Sequence, residues 1–274
     1  MIKLGSVPFL NVRPLIFPLE AALVEHDFEI SYFPPSTLSR RLFERKVDLG
    51  LIPVFELLQR DYTVVSDISI SSYGEVDSVV LLSRMPIRAI KTVAVDSRSQ
   101  SSASLLKIIL EVFNGVFPTY VVREPDSRFL DGVDGGMFIG DTGLKLKYFP
   151  PSGYRVFDLG EIWTKETGLP FVYAVYAVNR GVLLGRNLSA LKTAKSIGLN
   201  SVREIARIEA KKLNLSEDIC LTYLTERIRY NLREKEIEGI MVYRELLHKL
   251  FKAEDRGSVF RLNTIISTYP ERET

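Results

Sequence analysis

The feature that most constrains this chain is the regular alternation of short apolar runs with amphipathic ones over its first two-thirds. Residues 2–7 form an apolar run, read as a buried strand, that leads through a loop into a helix over 11–24. Residues 28–33 alternate apolar and polar, the period of a strand. Over 36–46, Leu38 and Leu42 stand four apart among charges, which predicts a helix. Pro34 and Pro35 supply a stop before it, and Ser36 an N-cap. The rhythm continues with a strand at 49–53, a helix at 54–60, and strands at 64–70, 77–83 and 92–96. A helix follows at 101–113, then strands at 119–122 and 136–139. After a last strand at 173–178 the chain turns helical over 188–213, 218–230 and 234–251. Alternating β and α elements imply an α/β fold, with parallel sheet covered by helices. One doubly wound domain fits that order. A bilobed arrangement also fits, if the apolar strands near 79–83 and 172–178 carry the chain out of a first lobe and back. The expected lobes are then 1–82 with 178–274, and 83–177.

Length and composition agree with either version. The chain has 274 residues, 46% hydrophobic and 26% charged, enough for a substantial core. A formal net charge of +2 and the absence of a basic stripe argue against a nucleic-acid partner. Arg40, Arg41, Arg45 and Lys46 read as a solvated helix face. Cys220 is the single cysteine, so no intrachain disulfide forms, and its apolar setting reads as burial. His26 and His248 are the only histidines, which argues against a His-based triad or a multi-His metal site. No dinucleotide fingerprint and no cluster of metal ligands is present, so no cofactor is expected. Pro8, Asn11, Arg13 and Pro14 interrupt any signal-peptide core, and no apolar run reaches the ~18 residues of a membrane span. The expected setting is the cytoplasm, without a membrane partner. Nothing in the sequence sets an oligomeric state.

Four strand-to-helix junctions carry candidate chemistry. The first is GSVPFLN, Gly5 to Asn11, followed by Arg13, Pro14 and Leu15. Ligands of open α/β sheets sit at the carboxyl ends of strands, where helix N-termini present free N–H groups. Asn11 could cap the helix or donate its amide to a ligand. The second is DSRSQSSASLLKIIL, Asp96 to Leu110, in which Ser99, Ser101, Ser102 and Ser104 crowd a helix entrance. That entrance is either a richly furnished N-cap or an anion site. The third is GGMFIGDTGLKL, Gly135 to Leu146, where Gly140 permits close backbone approach and Asp141 could cap the helix or meet a ligand hydroxyl. The fourth, SYGEVDSVVLLSR, Ser72 to Arg84, places Ser78 in a strand beside the expected crossover. Neutral donors from several junctions suit a small anionic ligand in a cleft. No cationic clamp of the kind a polyphosphate needs is evident.

Taken in order along nearly the whole chain, these motifs resemble the chorismate dehydratase family of the futalosine route to menaquinone. The resemblance rests on VPFLN with Pro14 and Leu15, VDLGLIPVFELL, DSVVLLSR, DSRSQSS, FIGD, DLGEIWTKETGLPFVYAVYAV and the helical tail YLTERIRYNLREKEIEGIMVYREL. It implies a two-lobed fold like type II periplasmic binding proteins, each lobe a mixed sheet flanked by helices, with the ligand cleft between lobes. It implies a hydro-lyase acting on chorismate. Asn11 and Ser78 match positions that act near the reacting carbons. Pro8, Ser101, Ser102, Gly140, Asp141 and Thr142 match the segments that cradle the substrate. Phe9 stands where the family usually has Tyr, and Thr142 and Gly143 stand where small apolar residues are usual. A sister enzyme of the same fold acts later in the route, but it carries a histidine where this chain has Asn11. The other alternative is a non-catalytic binding protein for a small carboxylate.

Overall fold

The structure, a computed structural model, describes residues 1–96, 99–253 and 267–268. Its elements run in chain order as follows. The first stretch holds β1 (Ile2–Ser6), α1 (Arg13–Glu20), β2 (Phe28–Tyr32), α2 (Pro35–Phe43), β3 (Leu49–Pro53), α3 (Val54–Gln59) and β4 (Tyr62–Ser72). The middle holds β5 (Val79–Ser83), β6 (Thr92–Asp96), α4 (Gln100–Lys107), β7 (Thr119–Arg123), β8 (Gly135–Ile139), α5 (Gly140–Tyr148), β9 (Arg155–Asp158) and α6 (Leu159–Thr167). Last come β10 (Phe171–Asn179), α7 (Arg186–Asn200), α8 (Val202–Leu213), α9 (Glu217–Thr222), α10 (Glu234–Ala253) and β11 (Ser267–Thr268). Among the described residues no helix is long and apolar enough to cross a membrane.

These elements build two compact units. The first comprises Met1–Ser71, Val172–Glu234 and the strand at 267–268; the second comprises Ser72–Phe171 and residues 235–253. Each has its own sheet, of strand order β11-β4-β10-β3-β1-β2 in the first and β7-β6-β8-β5-β9 in the second. Both sheets are mixed. In the first, β1 runs parallel to β2 and β3, while β10 is antiparallel to β3. In the second, β6 is parallel to β7 and β8, while β5 is antiparallel to β8 and β9.

In the first unit, the paired glycines Gly5 and Gly50 lie side by side on β1 and β3. A Cβ at Gly5 would overlap the side chain of Leu38, so the two glycines open a slot for that residue of α2. Leu38 is fully buried there, a burial that contributes about 1.5–3 kcal/mol. In the second unit, Val80, Leu82, Ala94, Phe129, Val133 and Phe138 form a buried cluster across β5, β6 and β8.

The division of the chain differs from the expected one in two respects. The strand at 79–83 does not cross between units, because β5 pairs on both sides within the second sheet. The boundaries fall earlier, along β4 and at the start of β10. Helix α10, expected with 178–274 in the first lobe, belongs to the second unit. Its Tyr243 packs against Phe171 at 5.1 Å and Trp163 at 6.2 Å, in a buried aromatic cluster. The helix expected over 188–213 breaks at Ser201 into α7 and α8. The one expected over 218–230 ends early, and Arg229 bridges back to Ser71 on β4. Cys220 is buried, as its apolar setting implied.

Candidate active site

The second unit gathers three helix N-termini on one rim of its sheet. β6, β8 and β9 all run toward that rim, and α4, α5 and α6 start there. β5 runs the opposite way, so its first residues begin at the same rim. Ser78 immediately precedes β5, one step beyond the pairs Val79–Ile139 and Val80–Asp158. It therefore sits beside Gly140 at the start of α5. With strands ~4.8 Å apart, the entrance of α4 starts about 10 Å away along the rim.

The three N-termini are not equivalent. That of α6 is closed by Asp158, whose carboxylate accepts from the backbone N–H groups of Gly160 at 3.0 Å and Glu161 at 3.1 Å. Those of α4 and α5 have no side-chain cap. An uncapped helix start exposes backbone N–H donors at the positive end of the helix dipole, a natural seat for a carboxylate. Ser101 and Ser102 occupy the first turn of α4, both largely buried. The carbonyl of Ser101 accepts from the Tyr243 hydroxyl at 3.2 Å, so α10 braces that turn. Ser97 and Arg98, which belong to the same motif, lie outside the described residues.

The entrance to α5 is equally determined. Gly140 takes φ 60°, a conformation glycine adopts without steric cost. Asp141 is half-buried in the first turn, and Thr142 beside it is exposed. A Cβ at Gly143 would overlap the carbonyl oxygen of Ser78, so glycine at this position lets the helix lie directly against the serine. Ser78 itself is only 1% exposed.

The first unit holds the other candidate group. After β1, Pro8 is exposed, and Leu10–Val12 form a single 3-10 turn that delivers the chain into α1. Asn11 sits in that turn without capping α1, so the capping role weighed for it is not used. Its Oδ1 is buried and, among the described residues, has no hydrogen-bond partner. Arg13 does not act as a free cation here. Its guanidinium meets Glu20 at 2.8 Å and Glu209 at 3.1 Å.

Two residues of this unit were not legible as site candidates. Gly5 faces α2, so Ser6, the next residue of β1, faces the opposite side of the sheet. One row across the sheet pairs Tyr176 with Leu51 and Ser6 with Tyr32, with Ser6 and Leu51 one step beyond the pair Gly5–Gly50. Ser6 Oγ and the hydroxyl of Tyr176 are buried and, among the described residues, without hydrogen-bond partners. Burial pushes the Tyr176 phenol far above its ordinary value, so it is a neutral donor at every ordinary pH. No spacing signal marks either residue; only the register of three strands aligns them.

His26 has a structural role in the first unit. His26 bridges the carbonyl of Leu19 and the N–H of Phe28. Among the described residues no group of three or more His, Cys, Asp or Glu is arranged to hold a metal ion.

Comparison with known proteins shows the family of the chain. The family model described as menaquinone biosynthesis matches residues 2–249. The chain belongs to that family. Two relatives carry the name chorismate dehydratase. The protein from Thermus thermophilus is 31% identical over 89% of this chain and 94% of its own length. The one from Campylobacter jejuni is 26% identical over 85% and 91%. Among solved structures, a protein of Archaeoglobus fulgidus aligns with a TM-score of 0.72 at 17% identity, covering 92% of this chain and 97% of its own. A Candida albicans protein described as having the generic periplasmic binding protein fold aligns with a TM-score of 0.63 at 15% identity, covering 100% and 99%. The fold of this family member is therefore the periplasmic-binding-protein-like one, with two mixed sheets flanked by helices.

Proposed function

We propose that this family member is a chorismate dehydratase, a hydro-lyase that converts chorismate into water and a benzoate bearing the enolpyruvyl ether. The reading is carried to this substrate by the 31% identity with the Thermus thermophilus chorismate dehydratase over 94% of that protein. The uncapped starts of α4 and α5 agree with it, since chorismate is a dicarboxylate and such N-termini seat carboxylates. Its single, buried cysteine asks for no oxidising compartment, and we place the reaction in the cytoplasm.

The ring hydrogen on the ether-bearing carbon is acidic, because charge formed there delocalises through the ring double bond into the ring carboxylate. Loss of that proton followed by loss of hydroxide from the adjacent carbon aromatises the ring, which drives the reaction. Asn11 and Ser78 are poor bases. The proton acceptor in this proposal is the substrate's own side-chain carboxylate, and the protein orients the two partners. Asn11 and Ser78 hold the ether side chain and the departing hydroxyl. Ser101, Ser102, Gly140 and Thr142 surround the carboxylates through the two helix entrances, where fixed dipoles stabilise developing charge, and Asp141 in the first turn of α5 faces the substrate hydroxyl. Pro8 shapes the approach to Asn11.

The test is to incubate purified protein with chorismate and follow the enolpyruvyl-benzoate by mass spectrometry. Product forms with wild type. Asn11→Ala lowers turnover by at least about tenfold, equivalent to ~1.4 kcal/mol of barrier. Unchanged chorismate in the presence of folded wild-type protein overturns the assignment.

A further inference from the structure

The backbone around Ser78 is held in a way that ordinary strand entry does not require. Asp77, just before it, is buried and has φ 59°, a left-handed conformation uncommon outside glycine and asparagine. The N–H of Ser78 donates to the carbonyl of Val76 at 2.7 Å, closing a three-residue turn over Asp77. Such a turn persists only when its surroundings dictate it. The surroundings come from Asp158. Its Oδ2 accepts from the N–H of Asp77 at 2.8 Å, and its Oδ1 from that of Val76 at 3.1 Å. The same carboxylate caps α6, so the turn is fastened to a helix end rather than to a loop. The side chain of Asp77 is held from α5, where the Tyr148 hydroxyl donates to its Oδ2 at 2.9 Å. Lys147, which donates to Glu75 at 2.8 Å, stands 3.7 Å from both Asp77 and Asp158. Gly143 lies against the carbonyl of Ser78 on the remaining side.

We infer that Asp158 and Tyr148 are positioning residues that set the direction of the Ser78 hydroxyl through the turn at Asp77. This rests on the proposed role of Ser78 in the dehydration. Asp158 fixes the two backbone N–H groups that precede Ser78, and Tyr148 fixes the side chain of the strained residue between them. Capping of α6 alone would need only Gly160 and Glu161; the bonds to Val76 and Asp77 serve the turn. Because an oriented hydroxyl matters to the reacting state more than to substrate capture, the effect falls on kcat and spares KM.

The experiment measures kcat and KM with chorismate for Asp158→Asn and Tyr148→Phe, each alone and combined with Ser78→Ala. Tyr148→Phe loses one hydroxyl at a half-buried position, so it carries the test where Asp158→Asn fails to fold. The expected result is about a threefold fall in kcat for Tyr148→Phe and about tenfold for Asp158→Asn, with KM within about twofold of wild type. In the Ser78→Ala background neither substitution lowers kcat further, as required of residues that act through Ser78. An unchanged kcat for Tyr148→Phe, or a loss that persists in full without the serine hydroxyl, overturns the inference and leaves Ser78 in place. Wild-type kcat for Ser78→Ala alone removes the role of Ser78 and the inference with it.

Discussion

The hydroxyl of Tyr243 donates to the carbonyl of Ser101 across 3.2 Å, joining residues 142 positions apart in the chain. The bond is buried within the second unit and pins the first turn of α4 to α10. Tyr243→Phe keeps the aromatic packing and removes the hydroxyl, with its bond to Ser101 and its hydrogen bond with Ser104. A buried hydrogen bond contributes about 1 kcal/mol, so the thermal midpoint falls by roughly 2–4 °C in a chain of this size. Differential scanning calorimetry reads this directly. An unchanged midpoint assigns Tyr243 a packing role alone.

Tyr176 behaves in the opposite way. Its hydroxyl is buried without a partner among the described residues, so Tyr176→Phe removes an unsatisfied polar group. Such a change leaves the thermal midpoint the same or raises it. Under the proposed function this hydroxyl is a donor for chorismate, so kcat/KM falls nonetheless, by about tenfold. A lowered midpoint with unchanged kcat/KM contradicts both halves of this expectation.

Acid should weaken the second unit partly through Asp134. Its Oδ2 accepts from the backbone N–H groups of Lys91 at 2.7 Å and Thr92 at 3.0 Å, and these bonds hold its carboxyl below the ordinary value. A group with a lowered folded-state pKa stabilises fully above its unfolded value, near 3.9, and loses that contribution as pH drops through the folded one. The gap in thermal midpoint between wild type and Asp134→Ala is therefore wide at neutral pH and narrows below about pH 4. A gap that stays constant across the titration excludes this linkage.

The slot for Leu38 offers a test of packing. A methyl group at Gly5 overlaps that side chain, so Gly5→Ala costs about 1–3 kcal/mol through overpacking. Combined with Leu38→Val, the loss is smaller than the sum of the two single losses, because the shorter side chain leaves room. Urea denaturation of the four proteins measures the coupling, and strict additivity rules out the contact.

Much of the fold was legible because apolar period and helix entrances are local signals. The strands at 49–53 and 92–96 match β3 and β6 to the residue. Sheet direction was not legible in the same way. The alternation implied parallel strands, whereas β10 and β5 enter antiparallel, a matter of long-range pairing. Apolar period alone assigns no element to 155–167, where the structure has β9 and α6; Asp158 followed by Glu161 is the local sign of that helix start. Among the proposed site residues, Asn11, Ser78, Ser101 and Gly140 stand at junctions that the sequence punctuates. Ser6 and Tyr176 stand inside strands and become neighbours only through register. The role of Asp158 depends on a carboxylate meeting backbone 81 positions away, which no local pattern encodes.

Asp158 also has a bearing on selectivity. Asp158 fills the entrance of α6 with a carboxylate of its own, whereas the N-cap residues of α4 and α5 make no side-chain cap. Under the proposed chemistry, the two carboxylates of chorismate are received at the starts of α4 and α5, and the start of α6, already holding Asp158, takes no third one. On that reading, a tricarboxylate of similar bulk inhibits far less well than a dicarboxylate.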